Sequence, residues 1–141
     1  MKRYLALDVG DATIGVAVSD LLGLTAQGVE TIRRTDIASD LDRLGALVQK
    51  YEVHAFVAGL PKHMNGEEGE RCVVVRSFMA EVEARFPLLE IYYWDERLST
   101  VAASRALLEG DVSRRKRRKV IDKMAAVYIL QGFLDRQQNM K

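Results

Sequence analysis

The chain has 141 residues, 48% apolar and 29% charged, with two prolines and no low-complexity tract, a profile that excludes a disordered segment or a stapled mini-fold and points to one domain over 1–141. One cysteine, Cys72, excludes an internal disulfide, no stretch approaches the ~18 apolar residues of a membrane span, and the apolar stretch before Asp8 is too short for a signal peptide, so a cytoplasmic protein without membrane attachment is expected. The net charge of +1 hides an asymmetry: residues 1–111 carry 12 Lys or Arg against 18 Asp or Glu, and residues 112–141 carry 9 against 2.

Tyr4 to Val9 and Thr13 to Ser19 are rich in β-branched and aliphatic residues and are separated by Gly10, Asp11 and Ala12, a spacing that predicts an antiparallel hairpin. Alternation predicts a third strand between about Ala26 and Arg33. From Asp36, a candidate N-cap, Ile37, Leu41, Leu44, Val48 and Tyr51 recur at helical spacing. Val53 to Ala58 reads as a buried strand that ends at Gly59 and opens into the loop LPKHMNGEEG. A second helix is expected from about Gly69 to Phe86, stopped by Pro87, and Leu88 to Trp94 reads as a strand. Ser99 or Thr100 caps an expected third helix through about Glu109, ended by Gly110, and a last helix spans roughly Lys119 to Arg136. The order β-β-β-α-β-α-β-α-α combines a meander with right-handed crossovers, and so predicts an α/β fold with a mixed sheet.

Three carboxylate positions far apart in sequence suggest one metal site. Asp8 closes the first strand on the face of Tyr4 and Ala6, where it is either a metal ligand or a turn residue. Asp95 and Glu96 leave the last strand together and point different ways, and the residues alone do not choose between them. Asp122 shares a helical face with Ala125, Ala126, Ile129 and Phe133, so it faces inward and needs a cation, a partner such as Lys119, or an exposed helix start. Converging carboxylates repel one another, and Mg²⁺ or Mn²⁺ relieves that repulsion with hard oxygen ligands suited to phosphodiester hydrolysis. The consecutive cations Arg114, Arg115, Lys116, Arg117, Arg118 and Lys119 suit a polyanionic partner or a solvated loop.

Four ordered motifs, DVGDATIGVAVSD (8–20), VAGLPKHMNGEEG (57–69), WDERLST (94–100) and IDKMAAVYILQGFLD (121–135), resemble those of the RuvX family, also called YqgF, of ribonuclease H-like nucleases. The resemblance covers nearly the whole chain. It implies a five-stranded mixed sheet flanked by helices and an acidic catalytic metal site of Asp8, Glu96 and Asp122, favouring Glu96 over Asp95. It also implies a metal-dependent endonuclease on structured nucleic acid, either the 5′ end of the 16S ribosomal RNA precursor or a branched DNA junction. Many relatives carry a basic residue where this chain has Thr13. Beside this reading, Arg97 is a candidate phosphate contact or a capping residue, and the six cations would deliver a phosphate backbone to the metals. Two other readings compete. One is a nucleic-acid-binding assembly factor without hydrolysis. The other is an actin-like ATPase with a similar Asp-Val-Gly hairpin, for which 141 residues leave no second lobe.

Overall fold

The two aliphatic runs around Gly10 form the first ladder. In the computed structural model, which describes residues 2–98 and the helix at 114–139 with side chains there from Met124 onward, β1 (Tyr4–Val9) pairs antiparallel with β2 (Thr13–Ser19). The Gly10 N–H donates to Thr13 O at 2.9 Å and closes the turn. β3 (Ala26–Arg33) continues the meander beside β2.

α1 (Ile37–Tyr51) starts where Asp36 Oδ1 accepts the Ser39 N–H at 2.9 Å, an N-cap that satisfies one of the orphan amides of the first turn. Its buried face is Asp40, Leu41, Leu44 and Leu47, whereas Ile37 is exposed and Val48 and Tyr51 only half-buried, so the helix is turned from the expected stripe. Asp40 can turn inward because it is partnered: Oδ1 accepts the Thr35 N–H at 3.1 Å, and Oδ2 lies 3.5 Å from Arg34 Nε.

β4 (Ala55–Leu60) begins two residues later than expected, because the Val53 N–H still bonds the α1 carbonyl of Val48 and the His54 N–H meets Arg3 O. His54 is consequently exposed rather than inside a strand. α2 (Glu70–Arg85) buries Cys72, Val75, Phe78, Met79 and Val82. β5 (Glu90–Asp95) also starts two residues late, since Pro87 and Leu88 sit in a turn closed by the Leu89 N–H on Phe86 O. α3 (Arg114–Asn139) starts five residues before the expected Lys119 and takes the basic run into the helix, consistent with the high helix propensity of Lys and Arg. The helix expected from Ser99 or Thr100 to about Glu109 lies outside the described residues.

The sheet order is β3-β2-β1-β4-β5, with β1 antiparallel to β2 and parallel to β4, and β5 parallel to β4. The expected five-stranded mixed sheet is therefore present, with helices on both faces. Period-two alternation divides its side chains. Leu5, Leu7, Val9, Phe56, Ala58 and Leu60 pack with α1 and α2, and Tyr4, Ala6, Ala17, Ala55, Val57 and Trp94 pack with α3. Phe133 of α3 stacks edge-on against Tyr4 with ring centroids 5.2 Å apart, and the Tyr4 hydroxyl donates to Gln137 Oε1 at 3.1 Å. The C-terminal part of α3 thus covers the start of β1.

Candidate active site

The alternation that places Tyr4 and Ala6 under α3 carries Asp8 to the same face, at the carboxyl end of the central strand, where it is 6% exposed. In open α/β sheets this edge is where ligands bind. Leu7 pairs with Ala58, and Gly59 pairs with Trp94, so Asp8, Gly59 and Trp94 stand at one level across β1, β4 and β5. Trp94 faces α3, Asp95 turns to the opposite face, and Glu96, opening a short 3-10 turn (Glu96–Leu98), returns to the α3 side with 7% exposure.

Two strand spacings, roughly 10 Å, separate β1 from β5, so a carboxylate at the end of β5 must reach across β4 to approach Asp8. Gly59 leaves that space open. A Cβ there would overlap Ile129 Cδ1 and stand 3.0 Å from Glu96 Oε2, so the Glu96 carboxylate lies over the one residue of β4 that has no side chain. Two buried carboxylates on one face beside such a gap fit a hard divalent cation.

The third expected ligand, Asp122, lies in α3 three and four residues ahead of the buried Ala125 and Ala126, and its side chain is outside the described residues. Among the described residues no group of three His, Cys, Asp or Glu is placed to hold a metal. The course of α3 is informative. Phe133 packs at the start of β1 and Ile129 packs at Gly59 near the end of β4, so the helix runs antiparallel to these strands and its earlier turns lie toward their carboxyl edge.

A sequence model of the RuvX family, described as Holliday junction resolvase, matches residues 2–136. The chain belongs to the RuvX family. A relative from Heliobacterium modesticaldum, provisionally named a pre-16S rRNA nuclease, is 54% identical over 138 residues, covering 98% of this chain and 92% of its own. One from Clostridioides difficile with the same name is 56% identical over 133 residues, covering 94% of each. Among solved structures, Thermus thermophilus RuvC in complex with a Holliday junction substrate superposes with a TM-score of 0.58 at 11% identity, over 98% of this chain and 97% of that one. The fowlpox virus Holliday junction resolvase gives 0.53 at 11% identity, over 99% of each. At such identity these two show the shared ribonuclease H-like fold.

In this RuvX chain Arg97 is engaged within the protein. Its Nε and Nη2 donate to the Asp95 carboxylate, with Nη2 to Oδ2 at 2.6 Å, and its Nη1 donates to Met64 O at 3.2 Å. Hydrogen bonding from Arg97 holds the Asp95 carboxyl below the usual carboxylate range and raises the guanidinium in turn. The other expected phosphate contacts, Arg114 to Lys119, occupy the first turns of α3, and their side chains lie outside the described residues.

Two supports escaped the sequence. Gly59 looked only like a strand end. Arg34 was not singled out, yet its Nη1 donates to Gly10 O at 2.8 Å, its backbone N–H donates to Ala12 O at 2.9 Å, and its guanidinium lies 4.9 Å over the Phe78 ring. With Asp40 it braces the turn that follows Asp8. The available signal was an acid, Asp40, interrupting the apolar stripe of α1.

Proposed function

We propose that the chain, as one domain over residues 1–141, is a divalent-metal-dependent endonuclease of structured nucleic acid, with Asp8, Glu96 and Asp122 as the ligands of Mg²⁺ or Mn²⁺. The observation that carries this reading is the pair of buried carboxylates, Asp8 and Glu96, at the same edge of the sheet, with Glu96 lying over Gly59 of the strand between them. Bound there, the metal would supply activation of a water and stabilisation of the leaving oxygen of a phosphodiester. The chain's own residues do the rest. Asp8 is fixed by the central strand and by the Arg34 brace on its turn, Glu96 reaches over β4, and Asp122 is the ligand expected from the first half of α3.

The six cations of Arg114 to Lys119 hold the phosphate backbone near the carboxylates. The favoured substrate is the precursor of 16S ribosomal RNA, in line with the names of relatives above 50% identity. Branched DNA is the second reading, favoured by the description of the family itself. A cytoplasmic setting belongs to the same proposal, and among the described residues no helix is long and apolar enough to cross a membrane.

The test is cleavage of a ribosomal precursor and of a four-way DNA junction by the wild-type chain and by Asp8→Asn, in Mg²⁺ and in Mn²⁺. Asp8→Asn keeps the side-chain shape and removes the charge. It should leave the circular dichroism spectrum intact and reduce cleavage at least ~100-fold, as expected when a charged group acting on the transition state is lost. Undiminished cleavage by a contaminant-free variant would sink the assignment, and the preferred substrate decides between the two readings.

A further inference from the structure

The loop between β4 and α2 leaves the sheet at the carboxyl edge, between Asp8 and Glu96, and it is folded rather than extended. The Gly66 N–H donates to His63 O at 2.8 Å, the His63 N–H to Glu67 O at 2.9 Å, and the Glu67 N–H to Asn65 Oδ1 at 3.0 Å. Its tip residue, Met64, has an 88% exposed side chain, yet its carbonyl is tied to the body of the protein through Arg97 Nη1. Arg97 is oriented in turn by Asp95, which accepts from Nε, Nη2 and the Arg97 backbone N–H at 2.6–3.1 Å. Gly66 closes the contact. Its φ of +91° disfavours any other residue, and a Cβ there would lie 3.2 Å from Arg97 Nη1.

We propose that Asp95 and Arg97 form a latch that fixes the loop of residues 61–66 at the mouth of the site, which makes Arg97 a positioning residue rather than a phosphate contact. Two features separate these roles. The fork of the guanidinium is already matched to a carboxylate, and a phosphate approaching its remaining N–H groups would meet the negative charge of Asp95. Among the described residues, the bond that leaves the pair goes to the backbone of the loop. The consequence for substrate placement rests on the nuclease reading above, whereas the latch itself does not.

Hydrogen exchange of the full chain, together with salt-dependent binding and cleavage of a four-way junction, tests the proposal in Arg97→Gln, Arg97→Lys, Asp95→Asn and Gly66→Ala. A latch predicts that all four variants speed amide exchange at residues 63–67 by about tenfold or more, as expected for loss of a charged hydrogen bond, with the exchange of α1 unchanged. It predicts weaker cleavage in all four and an unaltered slope of log affinity against log salt. A phosphate contact predicts opposite signs. Asp95→Asn, which releases the cation, would tighten binding, Arg97→Gln would reduce the salt slope by about one, and Arg97→Lys would resemble wild type. That pattern overturns the latch, as does unchanged loop exchange in Asp95→Asn and Arg97→Gln. Exchange needs no substrate, so a wild-type chain that fails to cleave would refute the nuclease reading and leave the latch result standing.

Discussion

Gly59 is where the absence of a side chain matters most. The Glu96 carboxylate lies above it on one side and Ile129 closes over it on the other, so Gly59→Ala must displace one of them. Overpacking of this kind costs about 1–3 kcal/mol, which urea denaturation would read directly. Cleavage should fall further than the loss of folded protein explains, because the alanine methyl crowds the Glu96 carboxylate as well as Ile129. A Gly59→Ala chain with wild-type stability and activity would contradict the geometry. None of this was legible in the sequence, where Gly59 ended an apolar run and nothing indicated what lay across the next strand. Between Asp95 and Glu96 the residues alone did not choose, and the family resemblance favoured Glu96. Their opposite facings follow from alternation along β5, but which face carries the site depends on a register with β4 that only the fold supplies.

Element boundaries show which forces the sequence reports well. β1, β2 and β3 have the expected bounds because alternation and the turn residues around Gly10 act locally. β4 and β5 each begin late, because bonds from the preceding helix or turn hold residues that are apolar enough to look like strand. The Arg34–Asp40 brace was hidden for a related reason, since an acid inside an apolar stripe gives no clue to its partner. α3 begins with six cations in sequence at the positive pole of a helix dipole, an order in which cation–cation and cation–dipole repulsion are both unfavourable. A phosphate backbone would relieve both effects. Replacing Arg114, Arg115, Arg117 and Arg118 by Gln should therefore make the salt dependence of nucleic-acid binding shallower by about one unit per lost phosphate contact, with no loss of helicity. An unchanged slope in filter-binding titrations would place the phosphate contacts elsewhere.

Several acids among the described residues share one sign of shift. Hydrogen bonds lower Asp20 through the Leu24 N–H, Asp36 through Ser39, Glu30 through Arg43, Glu68 through Arg76 and Asp95 through Arg97. A carboxyl lowered in the folded state stabilises fully above its unfolded value, near 4, and the contribution is lost as pH falls through the folded value. Burial raises the Cys72 thiol and the Tyr93 phenol, so their contributions are present at neutral pH and are lost as pH rises from ~8.5 upward. The thermal midpoint should accordingly be level between about pH 5 and 8 and fall on both sides. A midpoint that rises below pH 4 in a calorimetric series would refute the acid limb. The antiparallel meander and the parallel pairing in the second half were legible at this scale. The sequence also suggested that Asp8, Glu96 and Asp122 serve one site, and of these the structure describes the buried side chains of Asp8 and Glu96.

The last of these elements to leave the ribosome is the one that covers the face carrying Asp8. Until α3 docks, Tyr4, Ala6, Val57 and Trp94 form an open apolar surface, and the expected acidic set lacks Asp122. Burial of that surface therefore waits for α3. A growing chain exposes an apolar sheet face for as long as α3 is still being made, so the sheet depends on a helix that follows all five of its strands in the chain.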